Sequence, residues 1–352
     1  MDKKIHWIDN LKILGLLSII TFHFWPMLDP VIRDFSVSFK GWTIIQLPLR
    51  NGFQGTFLFF IASGTGLALL MNKKKITWLE FYRSRVLRIY IPYWIALAIA
   101  LLFYFLGFNV SITPPTNALR WIANILLFDL FSGYTIQPHL WFLFAIIRLY
   151  ALFPFIYWFA KKTGFSGLAG MFVLQFLAFS LYNIFPDPLL KTFLTRVLVW
   201  ILPFHLGTYV GLMLVSNREK TERILHKLFP LGLIMWGVGT VANNYPKGNP
   251  ITFTFISVGI LIVVFKVASL NWRVPAINNI SYETYLIHIT VLALLSPTLK
   301  LLPTGIIYLI FLAISLCAGY LVKRASIAVY DTVRPRFERD ALVYSIKPTA
   351  GS

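Results

Sequence analysis

Ten runs of apolar residues divide the sequence, at 11–28, 53–71, 89–108, 139–160, 166–185, 192–214, 228–242, 251–268, 280–297 and 304–322. Most reach the roughly 20 residues that an α-helix needs to cross the hydrocarbon of a bilayer. A backbone inside hydrocarbon has to satisfy its own N–H and C=O groups, and for runs of this length the helix is the solution. The expected fold is therefore all-α: a polytopic membrane helix bundle of about ten transmembrane helices. The charge content agrees. Only 13% of the 352 residues are charged, about half the roughly 25% of an ordinary soluble domain. Such a chain is neither disordered nor fibrous nor a typical soluble enzyme. The membrane domain is expected over 1–330, followed by a short polar tail at 331–352. The single cysteine, Cys317, excludes a disulfide within the chain and a cysteine-based metal site.

The formal charge of +19 would suggest nucleic acid in a soluble protein. Here the basic residues gather between the apolar runs, so the charge reads as membrane topology and no nucleic-acid partner is expected. With the N-terminus in the cytoplasm and ten spans, 22 Lys and Arg fall on cytoplasmic segments and 7 on outer loops. That is a strong positive-inside bias, with both termini cytoplasmic. The shorter run at 119–131 is expected to be interfacial or re-entrant. If it crossed, every later loop would change sides, and 14 of those basic residues would move outside. The start has a basic leader and an apolar core. No small-residue cleavage site follows Phe24-Trp25-Pro26, so a cleaved signal peptide is not expected.

Ionisable residues inside spans are costly and usually face a partner or a cavity. The first span carries Lys12 and His23, with Asp9 at its edge. Eleven residues at about 100° each bring Lys12 and His23 onto one face, roughly 16 Å apart. Asp9, one turn before Lys12, can pair with it. Alone, Lys12 could snorkel to the surface, and His23 could be an interfacial residue. Arg83, Arg85 and Arg88 enter the third span. They suit anionic lipid headgroups or, as readily, the phosphates of an acyl-CoA. His139 and Trp141 open the fourth span at the depth expected for His23, and Arg148 lies about two turns deeper. On the ninth span Tyr285 and His288 share a face, with Glu283 near the cytoplasmic boundary. Ser63 and Gly64, within an aromatic stretch, read as helix packing when taken alone. No phosphate loop, dinucleotide fingerprint or metal-ligand spacing occurs, so no metal is expected.

Taken in order, these pieces form a pattern: Asp9-Asn10-Leu11-Lys12 followed by His23, Phe59-Phe60-Ile61-Ala62-Ser63-Gly64, Arg85-Val86-Leu87-Arg88, His139-Leu140-Trp141, and Ser281-Tyr282-Glu283-Thr284-Tyr285-Leu286-Ile287-His288. Over nearly its whole length the chain resembles the acyltransferase-3 family of integral-membrane acyltransferases. Two departures stand out. The family arginine is Lys12 here, which keeps the charge and loses the planar fork. The glutamate often found after the Leu-Trp motif is absent from Trp141–Arg148, which points to a different acceptor. A fused extracytoplasmic hydrolase-like domain, present in some members, is not expected either.

The resemblance implies a multi-pass enzyme of a cell membrane, the bacterial cytoplasmic membrane. It would move an acyl group, acetyl being the commonest, from cytoplasmic acyl-CoA to a hydroxyl of an extracytoplasmic or lipid-linked glycan. On that reading His23, with Lys12 and Asp9, is catalytic, His23 acting as general base or as a transient acyl-imidazole, and Arg83, Arg85 and Arg88 hold the donor's phosphates. Ser63, His139, Trp141, Arg148, Tyr285 and His288 line the substrate path, and the partners are membrane lipids and the glycan acceptor. The sequence also leaves open a glycan exporter or flippase without acyl transfer, and a membrane-bound sensor or scaffold.

Overall fold

A computed structural model describes residues 5–33, 38–39, 42–43, 51–73, 76–128, 135–184, 197–243, 249–270, 272–297 and 303–333. Among them are twelve α-helices. The first six are α1 (His6–Arg33), α2 (Gly55–Lys73), α3 (Trp78–Phe105), α4 (Ala118–Ile125), α5 (Trp141–Thr163) and α6 (Ser166–Ile184). The rest are α7 (Val199–Ser216), α8 (Arg218–Lys227), α9 (Phe229–Ala242), α10 (Pro250–Ala268), α11 (Pro275–Leu295) and α12 (Thr304–Val333). A two-residue ribbon pairs Ser38–Phe39 with Trp42–Thr43. The expected tail at 331–352 lies beyond residue 333, almost wholly outside the described residues, as do the first residues of the sixth apolar run.

Each of the ten apolar runs carries a helix. Among the described residues seven helices are long and apolar enough to cross a membrane unaided, or eight if α8 and α9, bent by 58° at their junction, form one broken span. Two expected spans fall outside that count for different reasons. The apolar part of α6 is short, Ser166–Leu181. The 21-residue α11 is long enough, but its sequence is diluted by Asn278, Ser281, Glu283 and His288. Of these, Ser281, Glu283 and His288 are buried inside the bundle. Helix α4 has eight residues, about 12 Å of rise, and cannot span. That agrees with the charge argument for 119–131.

Local chemistry sets several boundaries. Thr77 and Glu80 form a reciprocal capping box at the start of α3, which satisfies donors that a helix end would otherwise leave bare. Asn117 caps α4, and Asn249 caps α10 ahead of Pro250. The C-terminal carbonyls of α4 accept from the backbone of Leu126, Leu127 and Phe128. Two carbonyls there are met from α3: Tyr93 Oη donates to Asn124 O at 2.8 Å, and Trp94 Nε1 donates to Ile125 O at 2.9 Å.

Helices α2 and α7 meet with almost no side chain between them. A Cβ on Gly207 would stand 2.1 Å from Ile61 O, and one on Gly64 would stand 2.2 Å from Phe204 O. Gly207 and Gly211, four apart, let the backbones approach, as small residues do between membrane helices. Gly64 is thus a packing residue. The aromatic side chains fill the remaining interior: Phe57, Phe60, Phe144, Phe153 and Phe204 are all fully buried.

Candidate active site

Helix α1 turns Phe24 and His23 toward different neighbours. Phe24 is fully buried and stacks on Phe311 of α12, with ring centroids 5.6 Å apart. Thr21 Oγ1 lies 2.7 Å from Tyr308 Oη on the same helix. With α1 fixed there, His23, about 100° round the helix, points at α11 and at the turn preceding α5.

That turn, Pro138–Leu140, is tied down on both sides. Gln137 is buried and its Nε2 donates to Val110 O and to Thr290 Oγ1 on α11, both at 3.1 Å. Ile136 N donates to Asn124 Oδ1 at 3.0 Å, which links the turn to α4. His139 Nε2 lies 3.1 Å from Leu286 O, and Tyr285 Oη donates to His139 O. A segment rich in backbone polar groups is thereby satisfied inside the bundle.

Three histidines from three elements converge as a result. His288 Nε2 lies 3.0 Å from His23 Nδ1, and their ring centroids are 4.9 Å apart. His139 stands 5.1 Å from His288 and 6.4 Å from His23, centroid to centroid. Tyr285 closes the group at 5.4 Å from His139. Exposure distinguishes the members. His139, Tyr285 and His288 are buried at 1%, 2% and 0%, whereas His23 is half-buried. His23 is therefore the most exposed ring of the three. Among the described residues no group of three or more His, Cys, Asp or Glu side chains is arranged to hold a metal ion.

The other expected residues divide into separate places. Lys12 Nζ does contact Asp9 Oδ1, at 3.4 Å, but the pair sits three turns down α1 from His23 and does not touch the histidines. Arg85 and Arg88 are three apart and lie on neighbouring faces of α3. Arg83 is two residues before Arg85 and projects about 160° away from it. Arg85 Nε is buried without a hydrogen-bond partner among the described residues, while Arg88 is exposed. Arg148 is half-buried, with Nη1 3.5 Å from Phe144 O. Trp141 packs against Trp200 with the rings tilted by 30° and centroids 5.1 Å apart. Ser63 Oγ accepts from Tyr150 Oη at 3.4 Å.

The two ends are joined by α11. Tyr282, Tyr285 and His288 follow at three-residue steps along α11, and Tyr282 Oη donates to Ile89 O at 3.0 Å, one turn beyond Arg85 on α3. Tyr150 and Tyr330 lie within electrostatic reach of Arg85, and Tyr330 Oη donates to Leu87 O at 2.7 Å. Neither tyrosine is marked by its sequence context, because the chain has 16 tyrosines and no spacing sets these two apart. Glu283 is held by Lys323 of α12 at 2.9 Å. Lys323 is thus an interior partner as well as one of the basic residues that set topology.

Comparison with known proteins gives one family result. Residues 5–324 match the family model described as an acyltransferase domain. No curated protein matches, and no solved structure matches. The matched region begins just before α1 and runs into α12, so it holds the histidine cluster, the arginines and the helix that links them. This chain, a multi-pass membrane protein, belongs to the acyltransferase-3 family and is an acyltransferase.

Proposed function

We propose that the protein transfers an acyl group, acetyl in the first instance, from cytoplasmic acyl-CoA to a hydroxyl of an extracytoplasmic or lipid-linked glycan. The observation that carries this reading is the histidine cluster: one half-buried imidazole, backed by two buried ones, on the α1 face that Lys12 shares. Arg85 and Arg88 enter α3 from the basic, cytoplasmic side of the charge map, where planar guanidinium forks suit the phosphates of the donor.

In this mechanism the acyl chain enters beside α11 from the arginine end. His23 takes the proton of the acceptor hydroxyl as general base, and the oxygen attacks the thioester carbonyl carbon. The tetrahedral intermediate collapses with cleavage of the C–S bond, and the departing CoA sulfur recovers the proton from His23. The products are an O-acyl glycan and free CoA. Trp141, packed at a tilt against Trp200 near the turn that holds His139, offers the flat apolar surface that sugar rings favour. Lys12 and Asp9 act at a distance from the reacting atoms, at the inner end of the same face.

The test uses inverted membrane vesicles, with radiolabelled acetyl-CoA supplied on the cytoplasmic side. Label recovered in glycan as alkali-labile ester from wild-type vesicles, and absent from His23→Ala vesicles with equal amounts of protein, is the expected result. Glycan that crosses the membrane unlabelled, in a manner dependent on this protein, would instead establish an exporter.

A further inference from the structure

Hydrogen-bond accounting at the histidine cluster fixes the protonation pattern of His23. A neutral imidazole has one N–H and one bare nitrogen. His288 Nδ1 lies 2.6 Å from Tyr285 O. A carbonyl oxygen only accepts, so Nδ1 carries the hydrogen and His288 Nε2 is bare. That bare atom lies 3.0 Å from His23 Nδ1, so His23 Nδ1 has to be the donor. His23 Nε2 is then left with its lone pair. The opposite assignment would set two lone pairs against each other beside the fully buried His288, leaving both acceptors unsatisfied, an arrangement that interiors avoid.

We infer that His288 is a positioning residue that selects the Nδ1–H tautomer of His23 and so presents a bare Nε2 to the acceptor hydroxyl. The consequence for transfer rests on the reading of His23 as general base. An unconstrained histidine in water favours hydrogen on Nε2, so the cluster holds His23 in the less populated form. When His23 gains a proton at Nε2, its Nδ1–H remains bonded to His288, whose own N–H points at a helix carbonyl. The charge is stabilised by an oriented chain of neutral groups, with no buried carboxylate to desolvate. His139 follows the opposite pattern. Its Nε2 faces Leu286 O at 3.1 Å, which leaves Nδ1 bare, and that atom is buried with no hydrogen-bond partner among the described residues.

The direct measurement is the 15N spectrum of the full-length protein with labelled histidine side chains, at a pH where the rings are neutral. Single-histidine variants assign the signals. Hydrogen on Nδ1 is expected for His23 and His288, and hydrogen on Nε2 for His139. In His288→Leu, His23 should revert to the Nε2–H form. Its kcat should fall by about 100-fold or more, in the range of a general base lost from its working form, while KM for acetyl-CoA stays within about twofold. His288→Gln places an amide oxygen where Nε2 stood and should restore the Nδ1–H form and part of kcat. Hydrogen on Nε2 of His23 in the wild type, or an unchanged tautomer and kcat in His288→Leu, overturns the inference. The spectrum does not depend on turnover. Full transfer by His23→Ala alongside the expected tautomers would therefore defeat the base assignment and leave the positioning role of His288 supported.

Discussion

The interior pair Glu283–Lys323 makes clear how a single residue can carry two duties in a membrane. Glu283 is 2% exposed, and Lys323 Nζ reaches it at 2.9 Å. Removing one partner of a buried pair costs about 3–5 kcal/mol, because the other charge is left uncompensated. Glu283→Gln is therefore expected to destabilise the folded protein by about 3 kcal/mol, read as reversible unfolding in detergent. The double variant Glu283→Gln/Lys323→Met should recover part of that loss. Tyr285→Phe deletes one buried donor to His139 O and should cost about 1 kcal/mol, with a larger effect on turnover if the turn at 138–140 shifts. At this scale the sequence marks His23, His139, Tyr285 and His288 clearly, since a polar group inside an apolar run is conspicuous. It marks Tyr150, Tyr330 and Trp200 hardly at all. Their value comes from what they face across helices, and in a chain with 32 Phe, 16 Tyr and 11 Trp an aromatic residue at a given position carries little signal.

Helices are more legible than their contacts. Hydrophobic length places all ten apolar helices, and the eight-residue α4 fits the expectation of a segment that does not cross. Apolar length marks α9 less clearly as a span, and mean hydropathy does the same for α11, for physical reasons. Helix α9 has 14 residues, about 21 Å of rise, and is bent against the charged α8. Helix α11 buries its polar residues against neighbours, so its mean hydropathy understates how deeply it sits. The α2–α7 seam is readable only once the glycines are seen to face each other. Gly207→Leu should prevent normal folding, since even a Cβ there would stand 2.1 Å from Ile61 O, and overpacking of a close backbone contact costs about 1–3 kcal/mol or more. Gly66→Ala, with nothing within 4 Å of the added atom, should be tolerated. Size-exclusion profiles and melting in detergent distinguish the two.

At the scale of the whole molecule, the proposed function requires the orientation read from the charge map, with the arginine end on the cytoplasmic side. Cysteine labelling in intact cells, on a Cys317→Ser background, tests it. Thr116→Cys, just before α4, should react with an impermeant reagent from outside. Lys220→Cys on α8 should react only after permeabilisation. The reverse pattern would invert the topology and place Arg85 and Arg88 on the wrong side for a cytoplasmic donor. The general-base role adds a pH dependence with a definite sign. Only the neutral imidazole can take the hydroxyl proton, so kcat should fall as His23 is protonated on acidification and should level off at higher pH. Initial rates across a buffer series check this.

The central claim is that donor binding and proton transfer belong to different ends of one bundle. It is tested most directly by measuring acetyl-CoA binding and turnover side by side on the purified protein in detergent. Wild type should bind and turn over. His23→Ala should bind with little change and lose turnover by at least about 100-fold. Arg85→Ala/Arg88→Ala should lose binding while remaining folded. Full turnover by His23→Ala, or folded wild type that binds no acyl-CoA, would contradict the account.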